Sequence, residues 1–207
     1  MLVLRCTQKL LRKVGKPEPS PPQSTTVLGD WFAQPLSVGH QRFILLASEN
    51  SRLPILMPAK DVKNLPRHFP EALAEMLFAL GIPAAAVERE VETADDIVIA
   101  ATNNRSILGT LNDYANMLKW TLPNRPNTPL IETALWLADT PVRPLDGYPD
   151  DLARQLLGDR QTEADSAARR TLNPLRVSNP RKHGSHVPLS LDSDIGFVVR
   201  PRKRHSE

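Results

Sequence analysis

The residue pattern predicts an α+β fold: a small, mainly antiparallel sheet covered by helices, with a disordered basic C-terminal tail. Three observations carry that prediction. Strand-like and helix-like stretches are mixed without the regular strand–helix–strand alternation of a parallel α/β sheet. Two apolar runs, Arg42–Ala47 and Leu53–Met57, flank the five residues Ser48–Arg52, a spacing that suits a hairpin. Several longer windows carry apolar residues at helical spacing, which gives helices one face to bury on a sheet.

In chain order, Leu2–Leu4 reads as a short strand. Thr7 suits the cap of a helix over Gln8–Val14, and Gly15 suits its stop. Lys16–Gln23 holds four prolines and reads as an extended linker or exposed loop. Trp31-Phe32 opens the next ordered piece. Pro54 confines the second hairpin strand to a sheet edge, or delays its start. Pro70–Leu80 is the clearest helix: Leu73, Met76, Leu77 and Leu80 form one stripe, Pro70 suits the first turn and Gly81 the stop. A second helix follows Pro83, and Ile97–Ala100 is a β-branched strand. Asn103–Ser106 is a turn leading into a helix over Ile107–Leu122, which Pro123 ends. Further helices are expected at Leu130–Ala138, Asp151–Leu157 and Glu163–Arg170. The expected organisation is a single α+β domain over 1–150 with a proline-rich loop at 16–24, a helical extension over 151–172 and a basic tail over 173–207.

Composition bounds the chemistry. Only 5% of the 207 residues are aromatic, so the core is expected to be aliphatic. The one cysteine, Cys6, excludes an internal disulfide and a cysteine-rich zinc site. No apolar run approaches the ~20 residues of a membrane-spanning helix, so no membrane partner is expected. The N-terminal residues do not resemble a secretory signal, which makes the cytoplasm the expected compartment. The net charge of +3 is unevenly placed: residues 171–207 hold seven basic and three acidic groups, and residues 1–170 are close to neutral. The positive balance therefore belongs to the tail and does not describe a face of the folded unit.

Four groups of residues are candidates for function. The first is the strand–turn–helix segment with Asn103, Asn104, Arg105, Ser106, Asn112 and Asp113. A helix start offers free N–H groups and a positive dipole end, and Arg105 adds a cation, so the segment suits a phosphate or another anion. The competing reading makes Ser106 a helix cap, Gly109 a packing glycine, and Asn112 and Asp113 partners of a nearby loop. The second candidate is Cys6 with Arg12, whose spacing is that of a phosphatase loop; the intervening residues read as helix, which favours Cys6 as a small buried hydrophobe. The third is the set of histidines His40, His68, His183, His186 and His205, whose scatter defines neither a metal site nor a catalytic triad. The fourth is the tail cluster Arg200, Arg202, Lys203 and Arg204, which suits weak, salt-sensitive binding to nucleic acid or serves only as a solvated tail.

Arg5-Cys6-Thr7-Gln8-Lys9-Leu10-Leu11 and Thr102-Asn103-Asn104-Arg105-Ser106-Ile107-Leu108-Gly109, closing in Leu111-Asn112-Asp113-Tyr114, resemble an uncharacterised bacterial domain family of unknown function. Gly29–Ala33, the hairpin with Leu56–Ala59, and Leu137–Pro141 with Pro144-Leu145 are similar to the same family. The resemblance covers about residues 1–150 and implies a compact bacterial domain; it assigns no activity, cofactor or catalytic residue. The first expectation is accordingly a non-enzymatic module that binds a ligand, a partner or a nucleic acid. The alternatives are an enzyme acting on a phosphate-containing substrate, with Arg105 holding phosphate and Asp113 as acid, base or metal ligand, and a toxin–antitoxin-type interaction module. Cofactor, partner and oligomeric state stay open.

Overall fold

The computed structural model describes residues 1–158, apart from 95, 126 and 144–146. The expectations for a helix at Glu163–Arg170 and for the tail, including Arg200, Arg202, Lys203 and Arg204, lie outside the described residues.

Five strands form one sheet: β1 (Leu2–Cys6), β2 (Trp31–Val38), β3 (Gln41–Ser48), β4 (Pro54–Pro58) and β5 (Ile97–Ala101), in the order β4-β3-β2-β1-β5. The hairpins β2–β3 and β3–β4 are antiparallel, and β1 runs parallel to both β2 and β5. The helices are α1 (Gln8–Val14), α2 (Leu65–Ala79), α3 (Ala84–Thr93), α4 (Arg105–Thr121), α5 (Leu130–Ala138) and a last helix, α6, over 149–158. The α+β class is that read from the sequence, and most of the paired register is antiparallel.

β1 lies inside the sheet, between β2 and β5, and its Leu2, Val3, Leu4 and Cys6 are all buried. β2 was not evident as a strand, since Gln34 and Pro35 interrupt its apolar run. Its register explains why it tolerates proline. β1 accompanies β2 only as far as Ala33, so Pro35, which pairs with Ile44 on the other side, has no β1 residue opposite it. Pro54 opens the edge strand β4, as expected from its missing N–H.

Residues an odd number apart on a strand face opposite sides of the sheet. Trp31 packs edge-on against Phe69 of α2, with ring centroids 5.1 Å apart. The Gln34 amide donates to the Leu111 carbonyl of α4 at 3.0 Å. Helices α2 and α4 therefore cover opposite faces. Leu73, Met76, Leu77 and Leu80 are buried as their spacing predicts. The α2 helix begins earlier than expected, at Leu65, with Pro66 in its first turn, so Pro70 sits inside the helix. Pro66 supplied a second proline at an acceptable first-turn position, and packing of Leu65 and Phe69 carries the helix through Pro70. In α6, Ala153 and Leu157 join the same buried cluster as the sheet.

The proline-rich loop returns along the sheet margin, where the Glu18 N–H donates to the Ile99 carbonyl at 2.7 Å. Gly29 then brings the chain against the β3–β4 turn. Its φ of +77° is left-handed, and a Cβ there would lie 3.0 Å from Glu49 and Asn50 side-chain atoms, so only glycine fits.

Candidate anion site at the start of helix α4

The turn from β5 into α4 is the strand–turn–helix unit expected from the sequence. Asn104 is extended (φ −120°, ψ 107°), and its side-chain oxygen accepts from the Ser106 N–H at 3.0 Å and the Ile107 N–H at 3.4 Å. The capping residue is therefore Asn104, where the sequence suggested Ser106. The helix begins two residues earlier than expected, and an amide oxygen reaches the first-turn donors directly. Two N–H groups that an anion would use are thus already occupied.

Asn103, Arg105 and Ser106 are exposed around this turn. Asn112 and Asp113 are also exposed on α4, but about two turns further along, ~10 Å at 1.5 Å per residue. The structure brings residues 103–106 together and leaves Asn112 and Asp113 apart from them. Gly109 is exposed, and nothing lies within 4 Å of the position a Cβ would occupy. No close approach explains that glycine.

A residue that the sequence does not single out, Arg52, reaches this turn. Arg52, in the β3–β4 turn, is only 7% exposed and holds a left-handed φ of 60°. The turn is locked by its serines: the Ser48 and Ser51 hydroxyls are 2.7 Å apart, and the Leu53 N–H donates to the Ser48 hydroxyl at 3.0 Å. The Tyr114 hydroxyl of α4 donates to the Arg52 carbonyl at 3.0 Å. These contacts turn the arginine inward beneath α4. There its Nη2 donates to the Ser106 hydroxyl at 3.4 Å, while Nε and Nη1 are buried with no hydrogen-bond partner.

That arrangement is costly in two ways. A left-handed backbone at a non-glycine residue costs ~1–2 kcal/mol. A buried guanidinium with unmade hydrogen bonds bears a further desolvation penalty. Burial accordingly pushes the Arg52 pKa down, with Glu49 and the Tyr114 hydroxyl opposing the shift. No sequence signal distinguishes this arginine, since a cation in a hairpin loop ordinarily faces water.

On the same sheet face, Arg5 and Asp30 form a nearly buried ion pair, and the Arg5 Nη1 also donates to the Ala101 carbonyl at 3.3 Å. The Ser24 hydroxyl donates to the other Asp30 oxygen at 2.5 Å. The Asp30 N–H donates to Glu49 Oε2 at 3.4 Å. Arg5 is thus satisfied by its own carboxylate, and Arg52 is not.

The remaining candidates separate from this site. Cys6 is fully buried in β1, and the residues from Gln8 onward are helical, so the cysteine–arginine spacing forms no curled loop. Burial pushes the thiol from 9.0 up to about 12. A thiol reagent at pH 8 should therefore label Cys6 only as fast as the protein opens; rapid labelling of native protein would contradict the burial. Burial also pushes the Tyr114 hydroxyl up from its ordinary value. Both groups keep their protons in the folded state at a pH where the unfolded chain releases them. Their contribution is intact below about pH 9 and is lost as pH rises from there towards 12. The urea midpoint should consequently fall between pH 8 and pH 10.5. His40 and His68 lie in separate exposed positions, and among the described residues no three His, Cys, Asp or Glu side chains are grouped to hold a metal. A groove of about 380 Å³ between β4, α2 and α5 is lined by Met57, His68, Glu71, Glu75 and Ile131 and is remote in sequence from the α4 start. Among the described residues, no helix is long and apolar enough to cross a membrane.

No curated protein is a significant match to this sequence. A family model does match, over residues 3–152, which takes in all five strands from Val3 of β1 onward, the β3–β4 turn with Arg52 and the β5–α4 turn with Asn104 and Ser106. The chain therefore belongs to the family described as a domain of unknown function, DUF6933.

Proposed function

We propose that this protein is a non-enzymatic binding module that captures an anionic group at the start of α4. The observation that carries the reading is Arg52: a buried guanidinium, held in a strained backbone conformation, with two nitrogens unpartnered beside Ser106. Backbone strain and an unmet buried charge at one residue are costs that a bound counter-ion offsets. Arg105, which precedes Ser106 in the chain, is exposed and would add a second cation at this helix start. A binding role is favoured over catalysis because Asp113, the acid or base suggested by the sequence, lies two turns away. The tail cations Arg200, Arg202, Lys203 and Arg204 would add weak, salt-dependent attraction for nucleic acid.

The test is thermal unfolding of the full chain against increasing sodium sulfate, with sodium chloride at matched ionic strength as control. A saturating rise in Tm is expected for the wild type, equivalent to about 2.7 kcal/mol at a hundredfold excess over Kd. Arg52→Met removes the unmet charge. It should melt at or above the wild-type temperature without sulfate and show no saturating response. A response shared equally by the variant would sink the reading.

A further inference from the structure

The groove of about 380 Å³ between β4, α2 and α5 is continued by a second recess of about 240 Å³, and Met57, Pro58 and His68 line both. Together they form one trough beside the edge strand β4. Its walls are largely apolar: Leu56, Met76 and Ile131 line the first part, Ile44 and Leu65 the second. The first part alone falls in the ~300–1,000 Å³ range of clefts that hold a ligand.

Charge is unevenly placed along the trough. Glu71 and Glu75, exposed one turn apart on α2, border the first part, and Lys60 borders the second. Among the described residues, neither glutamate is in an ion pair. From Leu65, in the part with the lysine, to Glu75 the axis of α2 advances ~15 Å at 1.5 Å per residue. A fitting occupant is an apolar stretch of about that length with one acidic and one basic end.

This chain carries such a stretch. Within residues 159–207 the longest run without a polar side chain is Ile195-Gly196-Phe197-Val198-Val199, which holds the only aromatic residue of that segment. Asp192 and Asp194 precede it, and Arg200, Arg202, Lys203 and Arg204 follow it. Five residues in extended form cover ~17 Å. Length therefore matches, and charge matches in one direction, with the aspartates towards Lys60 and the arginines towards Glu71 and Glu75. Reach is ample as well. Thirty-seven residues lead from Gly158 to Ile195 and can span up to ~120 Å, whereas a domain of this size has a radius of gyration of ~15 Å. Tethering makes the contact intramolecular, so that modest interactions suffice at the high effective concentration of the segment.

We infer that residues 195–199 of this chain dock in the trough between β4, α2 and α5, with Phe197 seated among Met57, Met76 and Ile131 and the arginines that follow on Glu71 and Glu75. Burial of the apolar run supplies the affinity. The ion pairs lie at an exposed rim and chiefly set the direction of the segment. The inference is independent of the anion reading at α4.

The experiment is paramagnetic broadening in the full chain. Ser193→Cys takes a nitroxide label selectively, because Cys6 is fully buried. Isotope-labelled methionine methyls report the contact: Met57 and Met76 from the trough, and Met117 on α4, across the sheet, as control. The Met57 and Met76 signals are expected to lose intensity several-fold against the same sample with the label reduced, and Met117 to lose little. Phe197→Asp should restore both. Glu71→Lys with Glu75→Lys should restore them in part. Adding Arg200→Glu and Arg202→Glu to that pair should bring the broadening back, which a merely disturbed α2 would not do. Broadening of Met57 and Met76 no greater than that of Met117, or unchanged by Phe197→Asp, overturns the inference. Equal broadening in a mixture of spin-labelled chains and separate isotope-labelled chains would assign the occupant to a second copy and overturn docking within one chain.

Discussion

Glu90→Ala is expected to destabilise the protein by about 3 kcal/mol, the cost of stripping acceptors from buried backbone donors. Glu90 is 2% exposed on α3, and its two carboxylate oxygens accept from the Val27 and Leu28 N–H groups at 2.9 and 3.0 Å. Those amides belong to the segment that leads from the proline-rich loop into β2. Alanine leaves them without acceptors and opens a void among Ala86, Val87 and Leu28, which are buried nearby in the same cluster. Glu90→Gln keeps one oxygen acceptor and should cost roughly half as much, since one bond of the pair is retained. Urea unfolding with linear extrapolation measures both variants. A loss under about 1 kcal/mol for the alanine variant would show that water replaces the carboxylate at no great cost.

Asp30→Ala should cost a similar amount, about 3–5 kcal/mol, because it leaves Arg5 buried without its carboxylate. The two side chains are 13% and 10% exposed, so the pair is little screened by solvent. Asp30 also takes the Ser24 hydroxyl, and the Ser24 oxygen accepts from the Val3 N–H at 2.8 Å, so one carboxylate anchors both β1 and the incoming loop. Replacing both members, Arg5→Met with Asp30→Ala, should recover a large part of the loss, as expected when an unpaired charge causes most of the penalty. A double-mutant cycle reads the coupling. Additive losses would mean that the two residues act independently and that the contact contributes little.

These two networks and the Arg52 site escaped the sequence for related reasons. Glu90 lies three and four residues after Val87 and Ala86, on the buried stripe of α3, and that position was its only signal. Arg5 sits in a strand whose alternation places it opposite Leu4 and Cys6, a polar residue on a strand that proved central. Arg52 gave no signal at all, because its burial depends on the Ser48–Ser51 turn and on Tyr114, sixty-two positions away. Tyr114 itself was legible only as an apolar position on α4; the bond from its hydroxyl to the Arg52 carbonyl exists because the helix crosses the hairpin turn. At the α4 start, the strand–turn–helix order was legible, while the cap falls on Asn104, two positions before the Ser106 of the competing reading, because serine and asparagine both suit that role.

What the sequence determined by itself is local. Alpha5 falls at Leu130–Ala138 and α1 at Gln8–Val14, where they were expected, because apolar spacing, a flanking proline or threonine and a terminal glycine act within one or two turns of chain. The hairpin around Ser48–Arg52 was visible for the same reason. The tertiary structure alone decided the strand order, in which β1 runs parallel between β2 and β5, partners that lie on opposite sides of it and far apart in the chain. It also decided which of two arginines meets a carboxylate in an ion pair. Arg5 is nearly buried and Arg52 is buried, both on the face beneath α4; the first pairs with Asp30, and the second donates its described side-chain hydrogen bond to a serine hydroxyl. Whether a charge is paired depends on groups brought together by packing, and no pattern of neighbours along the chain encodes that distance.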